Sequence, residues 1–508
     1  MSAEPVISHG RVLRVLPLGA CIALFLCTNA NAVATSLVVP AHLVDTLTRT
    51  WEDPLSTKPP RLDEEALLAG DTAVSTCAAL PHSDQPLSLA AAVDLALCNN
   101  PQVQIAWAGI KVQAGALGEA RAAWLPTLGL SGSRLKDHTS FPGSDTASTT
   151  ESSARLNGSL NWRLFDFGTR QANHSSAMAL LDAALANHDA ALQKTLTNVI
   201  QAYFEVQSAQ AVWQARDKTQ VLSQQLLESA RRRQSQGAGA QSDTLQVASA
   251  LAKATLETNR ARGANAKALA VLVYTLGAPV GTPLTLAPEL SAPEHELRQD
   301  LSAWLAQAKE RHPALRAARA QLLSLQEKVL ATRAEGLPSV DFSANFYQNG
   351  RPNQGSTPGK SNEVLVGLTL TIPVFDGFAR SYKVRGSQAQ VEQQQAQLQE
   401  AENQLLLDIV KAHADASAAL DNLAAAQSWL DSAQQAVSSV QRKFDKGAAD
   451  TTEILSMQSA LADAQQQNLS SRAEWRSARL RLLANAGSLG KTEIHQLNQH
   501  QHQHQHQH

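Results

Sequence analysis

The chain has 508 residues, of which 44% are hydrophobic, 4% aromatic and 17% charged. Its 43 Lys and Arg against 45 Asp and Glu leave a formal charge of −2, without the basic stripe that nucleic-acid binding needs. So few aromatics beside abundant Ala, Gln, Leu and Ser exclude a large aromatic core and favour long helices packed closely on small side chains.

Arg11 and Arg14 precede the apolar run Val15–Cys27, and Ala30-Asn31-Ala32 follows as a small-x-small cleavage pattern. Residues 1–32 are therefore expected to be a removed export signal. The run is short for a membrane anchor and holds Pro17 and Gly19. Leu18-Gly19-Ala20-Cys21 also fits a lipoprotein box, although cleavage there would leave half the apolar run on the mature chain. Cleavage after Ala32 leaves two cysteines, Cys77 and Cys98. An even pair in an exported chain points to a disulfide, with two unpaired buried thiols as the alternative. Residues 33–86 are rich in Pro, Thr and Asp and lack sustained periodicity, so they read as an extended strap that such a bond would pin to the first helix.

Ala90–Trp124 is expected to be helical, on Val93, Leu97, Ile105 and Leu117 at helical spacing, with a break at Pro101 after Asn99-Asn100. Leu125-Pro126 ends it, and the period changes to two. Over Thr127–Leu135, Leu128 and Leu130 share one face and Ser131 and Ser133 the other; Lys136–Ser153 reads as a polar loop. In the next strand Leu156, Leu160, Trp162 and Leu164 oppose Arg155, Asn157, Ser159, Asn161 and Arg163, giving a hairpin with one apolar face. From Gly168 to Gln236 there is no proline, and a helix of that length is about 100 Å long, the dimension of a spacer or a tube. Gly237-Ala238-Gly239 turns the chain, Ser242–Leu276 runs back, and Gly277–Pro293, with four prolines, breaks the pattern.

The plan then repeats. Leu160–Arg170 (LNWRLFDFGTR) returns as Leu370–Arg380 (LTIPVFDGFAR), 380 − 170 = 210 residues on. Pro313 answers Pro101 and Pro338 answers Pro126 at a spacing of 212, whereas Gly447 answers Gly237 and Gly487 answers Gly277 at 210. A two-residue shift confined to the hairpin region is what duplication with loop drift leaves. The expected domains are thus a first repeat over 87–283, a linker over 284–300, a second repeat over 301–490 and a His/Gln-rich tail over 491–508. In the second hairpin Val340, Phe342, Ala344 and Phe346 alternate with polar residues, and so do Val364, Val366, Leu368, Leu370 and Ile372. Each strand is about nine or ten residues long, the span of a tilted transmembrane strand.

Four such strands cannot close a barrel, and an open edge in lipid would leave backbone groups unpaired. Three chains would supply twelve strands around a polar lumen. The expected fold is an α+β membrane protein: an internally duplicated, long α-helical coiled-coil barrel plus four transmembrane β-strands per chain, the trimer forming a 12-stranded β-barrel. A soluble helical bundle with two added hairpins does not account for the signal, the strand length and the duplication together.

In the paired helix breaks (Asn100-Pro101, His312-Pro313), the paired Leu-Pro steps (Leu125-Pro126, Leu337-Pro338), the FDFG and FDGF turns and the Gly-containing helix turns, the chain resembles the TolC family of trimeric outer-membrane ducts over Leu87–Gly490. That resemblance implies a passive homotrimeric exit duct in the outer membrane, reaching into the periplasm. Its partners would be a periplasmic adaptor (membrane fusion) protein, an inner-membrane ABC or proton-driven transporter, and outer-membrane lipid. Trp51-Glu52-Asp53-Pro54 and Leu97-Cys98-Asn99-Asn100-Pro101 look like the type I secretion branch, so protein secretion is favoured over drug efflux; a non-conducting spacer or adhesin is the remaining rival.

The inner tip, at Gly237 and Gly447, is where the family holds its duct shut. Gate candidates are Asp243, Phe444, Asp450 and Glu453. Phe444 stands where the family has an aromatic, Ala449 where it has Arg, Glu453 at one acidic ring position and Ser456 at the next. Phe165, Asp166 and Gly168, with Phe375, Asp376 and Gly377, form the barrel-to-helix hinge. The tail's alternating Gln and His pattern suits a low-complexity end or a tag, although it could bind Zn²⁺ or Ni²⁺. No nucleophile elbow, HExxH or P-loop occurs, so neither an enzyme nor a cofactor is expected.

Overall fold

The computed structural model describes residues 86–140, 143, 148–237, 239–287, 300–351, 360–445 and 450–487. Every described residue belongs to one compact unit, within Leu55–His508. The expected signal, most of the strap with Cys77, most of the linker, Ala449 and the Gln/His tail lie outside the described residues. So does the Phe444 side chain.

Each half begins with a broken helix: α1 (Leu89–Asn99) and α2 (Pro101–Ala122) in the first, α5 (Leu301–Arg311) and α6 (Pro313–Ala334) in the second. The break at Asn100 is built from a cap and a proline. The Asn100 side chain accepts from the Gln102 N–H at 2.9 Å, while Pro101 takes the first helical position, where an N–H would lack a partner anyway. Asn100 Nδ2 also donates to the Thr275 carbonyl at 3.0 Å. In the second half His312 takes this position, and its Nδ1 accepts from the Ala314 N–H at 3.3 Å. Cys98, two residues before Asn100, is disulfide-bonded. α2 stops at Ala122, two residues before the expected Trp124.

An imidazole accepts at Nδ1 only while that nitrogen is unprotonated. Burial holds the His312 pKa below its ordinary value of 6.5. Folded-state depression of a His favours the neutral form, so the stabilisation is complete above the unfolded value and is lost as pH falls below it. His312→Asn, which installs the cap of the first half, is expected to flatten the fall in stability between pH 7 and 5. Parallel melting curves of the two proteins across that range test it; identical pH slopes would show that the imidazole cap does not titrate.

The strands β1 (Thr127–Thr139), β2 (Thr149–Phe165), β3 (Ser339–Gln348) and β4 (Asn362–Thr371) form one antiparallel sheet in the order β1-β2-β3-β4. β3 and β4 have the expected length, but the first hairpin is longer than the sequence pattern indicated. Lys136–Thr139 and Thr149–Ser153, expected in a loop, are paired strand up to Thr139↔Thr149. Ser/Thr-rich composition reads as loop, yet pairing is decided by the backbone ladder that continues through it.

Register makes the apolar face continuous. Leu128 pairs with Leu160, Leu160 with Ala344 and Ala344 with Val366; in the next row Trp162 pairs with Phe342 and Phe342 with Leu368. Leu128 is 81% exposed and Leu368 68%, so this face is bare in the single chain. A slip of one residue would turn every one of these side chains to the other side.

The long elements are α3 (Thr169–Ser235) and α4 (Gln241–Thr275) in the first half, α7 (Ala379–Asp445) and α8 (Thr451–Asn485) in the second. α3 and α7 have 67 residues each, α4 and α8 35 each. α7 buries Ile409, Ala412, Ala416, Ala419, Leu423 and Ala426, alternately three and four residues apart. That is the seam of a coiled coil, with alanine permitting close approach. α3 buries a dense series up to Val206 but only Ser223 and Leu227 beyond it. Its distal half therefore has apolar and small surface left for neighbouring chains.

The first half's core joins α1, α3 and α4 around Leu95, Leu196, Ile200, Tyr203 and Leu272. Tyr203 donates its hydroxyl to the Leu87 carbonyl at 3.0 Å, and burial pushes its pKa up to about 12, so it stays a donor at physiological pH. Leu87 also pairs in parallel with Leu286, tying the start of the first half to the chain that leaves it.

Candidate functional site

Three regions shape a duct: its upper wall, the hinge and the inner tip. The wall's polar face carries Ser131, Asn157, Ser159, Asn161, Ser343, Asn345 and Thr369, in rows set by the strand register. Near the hinge, Arg163 Nε donates to Asp341 Oδ1 at 2.8 Å across β2 and β3. These polar groups face away from the bare apolar surface, the arrangement of a strand with lipid on one side and water on the other.

At the first hinge a register shift between Arg163 and Phe165 inserts Leu164 as a bulge and sets Phe165 opposite Val340. Phe167 (φ 50°) and Gly168 (φ 95°) are then both left-handed; in the second copy the pair is Gly377 (φ 67°) and Phe378 (φ 68°). The turn needs two left-handed residues in succession, and glycine supplies only one of them in each copy. The swapped order of FDFG and FDGF is thus conformationally equivalent. The rings pack edge to face, Phe165 on Phe167 at 4.7 Å and Phe375 on Phe378 at 5.6 Å.

Asp166 organises the hinge. Its carboxylate accepts from the Gly168 N–H at 3.3 Å and the Arg170 N–H at 3.0 Å, capping α3, and from Arg170 Nε at 2.9 Å. The Arg170 guanidinium donates to the Arg163 and Leu164 carbonyls at 2.6 and 3.1 Å and lies 4.4 Å from the Trp124 ring centre. Trp124 in turn accepts from Trp162 Nε1 at 3.0 Å. In the second copy Asp376 accepts from the Arg380 N–H at 3.1 Å, but the side-chain pair is 3.7 Å apart and open to solvent. Sequence reasoning gave Arg170 no role and took Trp124 for a packing or interface residue. The signal for Arg170 was present, since it recurs as Arg380 at the end of the duplicated stretch.

At the tip, Gln236 and Gly237 (φ 71°) close α3. Asp243, in the first turn of α4, shares a small cavity with Arg233, Ala240 and Thr451, so the structure brings it beside the start of α8. Asp450 is the N-cap of α8, its Oδ1 accepting from the Glu453 N–H at 2.7 Å. Glu453 stands exposed in that first turn. Thr452 Oγ1 donates to Gln246 Oε1 at 3.4 Å, joining α8 to α4, and Val440 packs on Ile454 just above. Two acidic side chains, Asp243 and Glu453, thus flank the junction of the two turns, while Asp450 is engaged as a cap. Among the described residues no group of His, Cys, Asp and Glu is placed to hold a metal ion, and no helix is long and apolar enough to cross a membrane.

A four-stranded sheet with one apolar and one polar face, carried on hundred-ångström helices and open at both edges, is a segment of an outer-membrane duct whose barrel is completed by other copies. The chain belongs to the outer membrane efflux protein family, whose model matches residues 92–278 and again 304–488, once for each half. That membership places it in the outer membrane, with the long helices in the periplasm, and among trimeric channels with a shared 12-stranded barrel. Protein CyaE of Bordetella pertussis is 37% identical over 412 residues, covering 80% of this chain and 85% of that protein. Outer membrane efflux protein BepC of Brucella suis is 26% identical over 401 residues, covering 79% and 84%. The Campylobacter jejuni CmeC outer membrane channel superposes with a TM-score of 0.70 at 16% identity, over 86% of this chain and 94% of that one. At that identity the likeness concerns the fold.

Proposed function

We propose that this chain is the passive exit duct of a tripartite type I protein secretion system, open outward through the shared barrel and closed at the inner tip. A periplasmic adaptor and an inner-membrane ABC transporter would supply contact and energy. The observation that carries the reading is the likeness to CyaE at 37% identity over most of both chains, against 26% for the efflux protein BepC. BepC and the family's own description favour the second reading, the outer-membrane component of a small-molecule efflux pump.

Deleting the gene separates the two. Loss of a secreted protein with unchanged drug susceptibility supports secretion; hypersusceptibility with normal secretion supports efflux. Purified trimers that fail to conduct in planar bilayers would remove both.

Asp243, Glu453 and Phe444 are proposed as gate residues, with Asp450 holding the turn that presents Glu453. Glu453→Ala is expected to raise single-channel conductance or weaken block by divalent cations, because an acidic ring at a constriction concentrates cations there. Unchanged conductance together with unchanged block would take Glu453 out of the gate.

A further inference from the structure

The first hairpin outruns the sheet it belongs to. The last row shared by β2 and β3 is Leu156↔Gln348, yet β1 and β2 remain paired from Ser133↔Arg155 to Thr139↔Thr149. Alternation carries the lipid-facing side of β1 upward from Leu128, Leu130 and Gly132 to Arg134, Lys136 and His138. Arg134 and Lys136 are exposed, and neither has an ion-pair or hydrogen-bond partner among the described residues. Opposite them stand Ala154 and Ser152, which bring no charge, and Asp137 belongs to the other face. In the second hairpin the last paired outward row is the neutral Gln348 and Asn362.

Height above the apolar band follows from strand geometry. Two residues advance about 7 Å along a strand, and a tilt of about 40° reduces that to about 5 Å along the membrane normal. Arg134, one row above the Gly132–Leu156 row, therefore lies about 5 Å beyond the hydrocarbon edge and Lys136 about 10 Å. The head-group layer is about 5–7 Å thick on each side, and long cationic side chains adjust within it.

We propose that the outward face of this hairpin binds a phosphate-bearing lipid head group of the outer leaflet, with Arg134 and Lys136 as the cationic contacts. The occupant is a lipid because the same face of the same hairpin, from Leu156 and Leu130 downward, is the apolar surface that acyl chains cover. The trimer presents three such sites. The proposal rests on the four strands being barrel staves, and assembly is therefore monitored separately.

The test uses full-length trimers purified from outer membranes, titrated with purified lipopolysaccharide and with its enzymatically dephosphorylated form; inorganic phosphate serves as competitor. Each lost cation is expected to weaken binding about fivefold, so the R134Q/K136Q variant should bind about twenty-five-fold more weakly. Arg134→Lys should stay within about twofold, and dephosphorylated lipid should bind wild type as weakly as intact lipid binds the double variant. Equal binding by wild type and R134Q/K136Q, or equal binding of the two lipids, would overturn the site. Displacement by inorganic phosphate at the lipid's own concentration would likewise overturn it in favour of a free-ion site. Should the double variant fail to form heat-resistant trimers, the wild-type comparison of the two lipids decides alone.

Discussion

Asp166→Ala is expected to destabilise the assembled protein by about 3–5 kcal/mol, the usual cost of leaving one member of a buried ion pair without its partner. Arg170 and Asp166 have side-chain exposures of 9% and 8%. Without the carboxylate, a guanidinium held by the Arg163 and Leu164 carbonyls and the Trp124 ring keeps its charge in a site closed to water. The first turn of α3 loses its cap in the same substitution. Asp376→Ala is the internal control. Its pair is 36% and 39% exposed, so only a cap and a surface ion pair are lost, about 1–2 kcal/mol together. The two hinges differ because Gly336 stands where the first copy has Trp124; a Cβ there would fall 2.1 Å from Arg380 Nε, so Arg380 lies directly on the backbone. Melting of heat-resistant trimers measures both variants. Equal losses at the two hinges would mean that the burial at Asp166 carries no energetic weight.

Much of this architecture is written in local signals. The Asn-Pro and His-Pro steps marked both helix breaks, and the proline-free run from Gly168 set the length of α3 to within a residue or so. Parity alone assigned the lipid face, because a side-chain period of two survives any detail of packing. The first hairpin's upper end was not legible, since Lys136–Ser153 has a loop's composition and only the ladder reveals the strands. At the hinge the duplicated Phe-Asp was visible, but the burial of Asp166 depends on Trp124 and on carbonyls from β2, contacts made only after the chain has turned. The tip divides likewise. Asp450-Thr451-Thr452-Glu453 is a capping pattern that sequence reasoning should have recognised as such. The gate role proposed for Asp243 and Glu453 has no such local signature, because a constriction on the axis is shared between chains.

Gly277→Ala is expected to cost about 2–5 kcal/mol, from two contributions that separate by comparison with Gly487→Ala. Both glycines follow the return helix of their repeat and both are left-handed, at φ 70° and 69°. A side chain in that conformation costs about 1–2 kcal/mol in either place. At Gly487 that is the whole cost, because an added Cβ would find its nearest neighbours at 3.7 Å, an ordinary contact. At Gly277 the Cβ would fall 2.5 Å from the Asn99 carbonyl oxygen and 2.8 Å from its carbon. Those are backbone atoms at the break between α1 and α2 and cannot rotate away, so overpacking adds about 1–3 kcal/mol. The contact matters for the duct because the Asn100 side chain reaches the Thr275 carbonyl from the same break, fixing the upper end of the helix that returns from the tip. Urea denaturation of the two variants, beside limited proteolysis within α4, tests this. A Gly277→Ala protein no less stable than Gly487→Ala would show that the helix break yields to the added methyl, and that the end of α4 is held by other contacts.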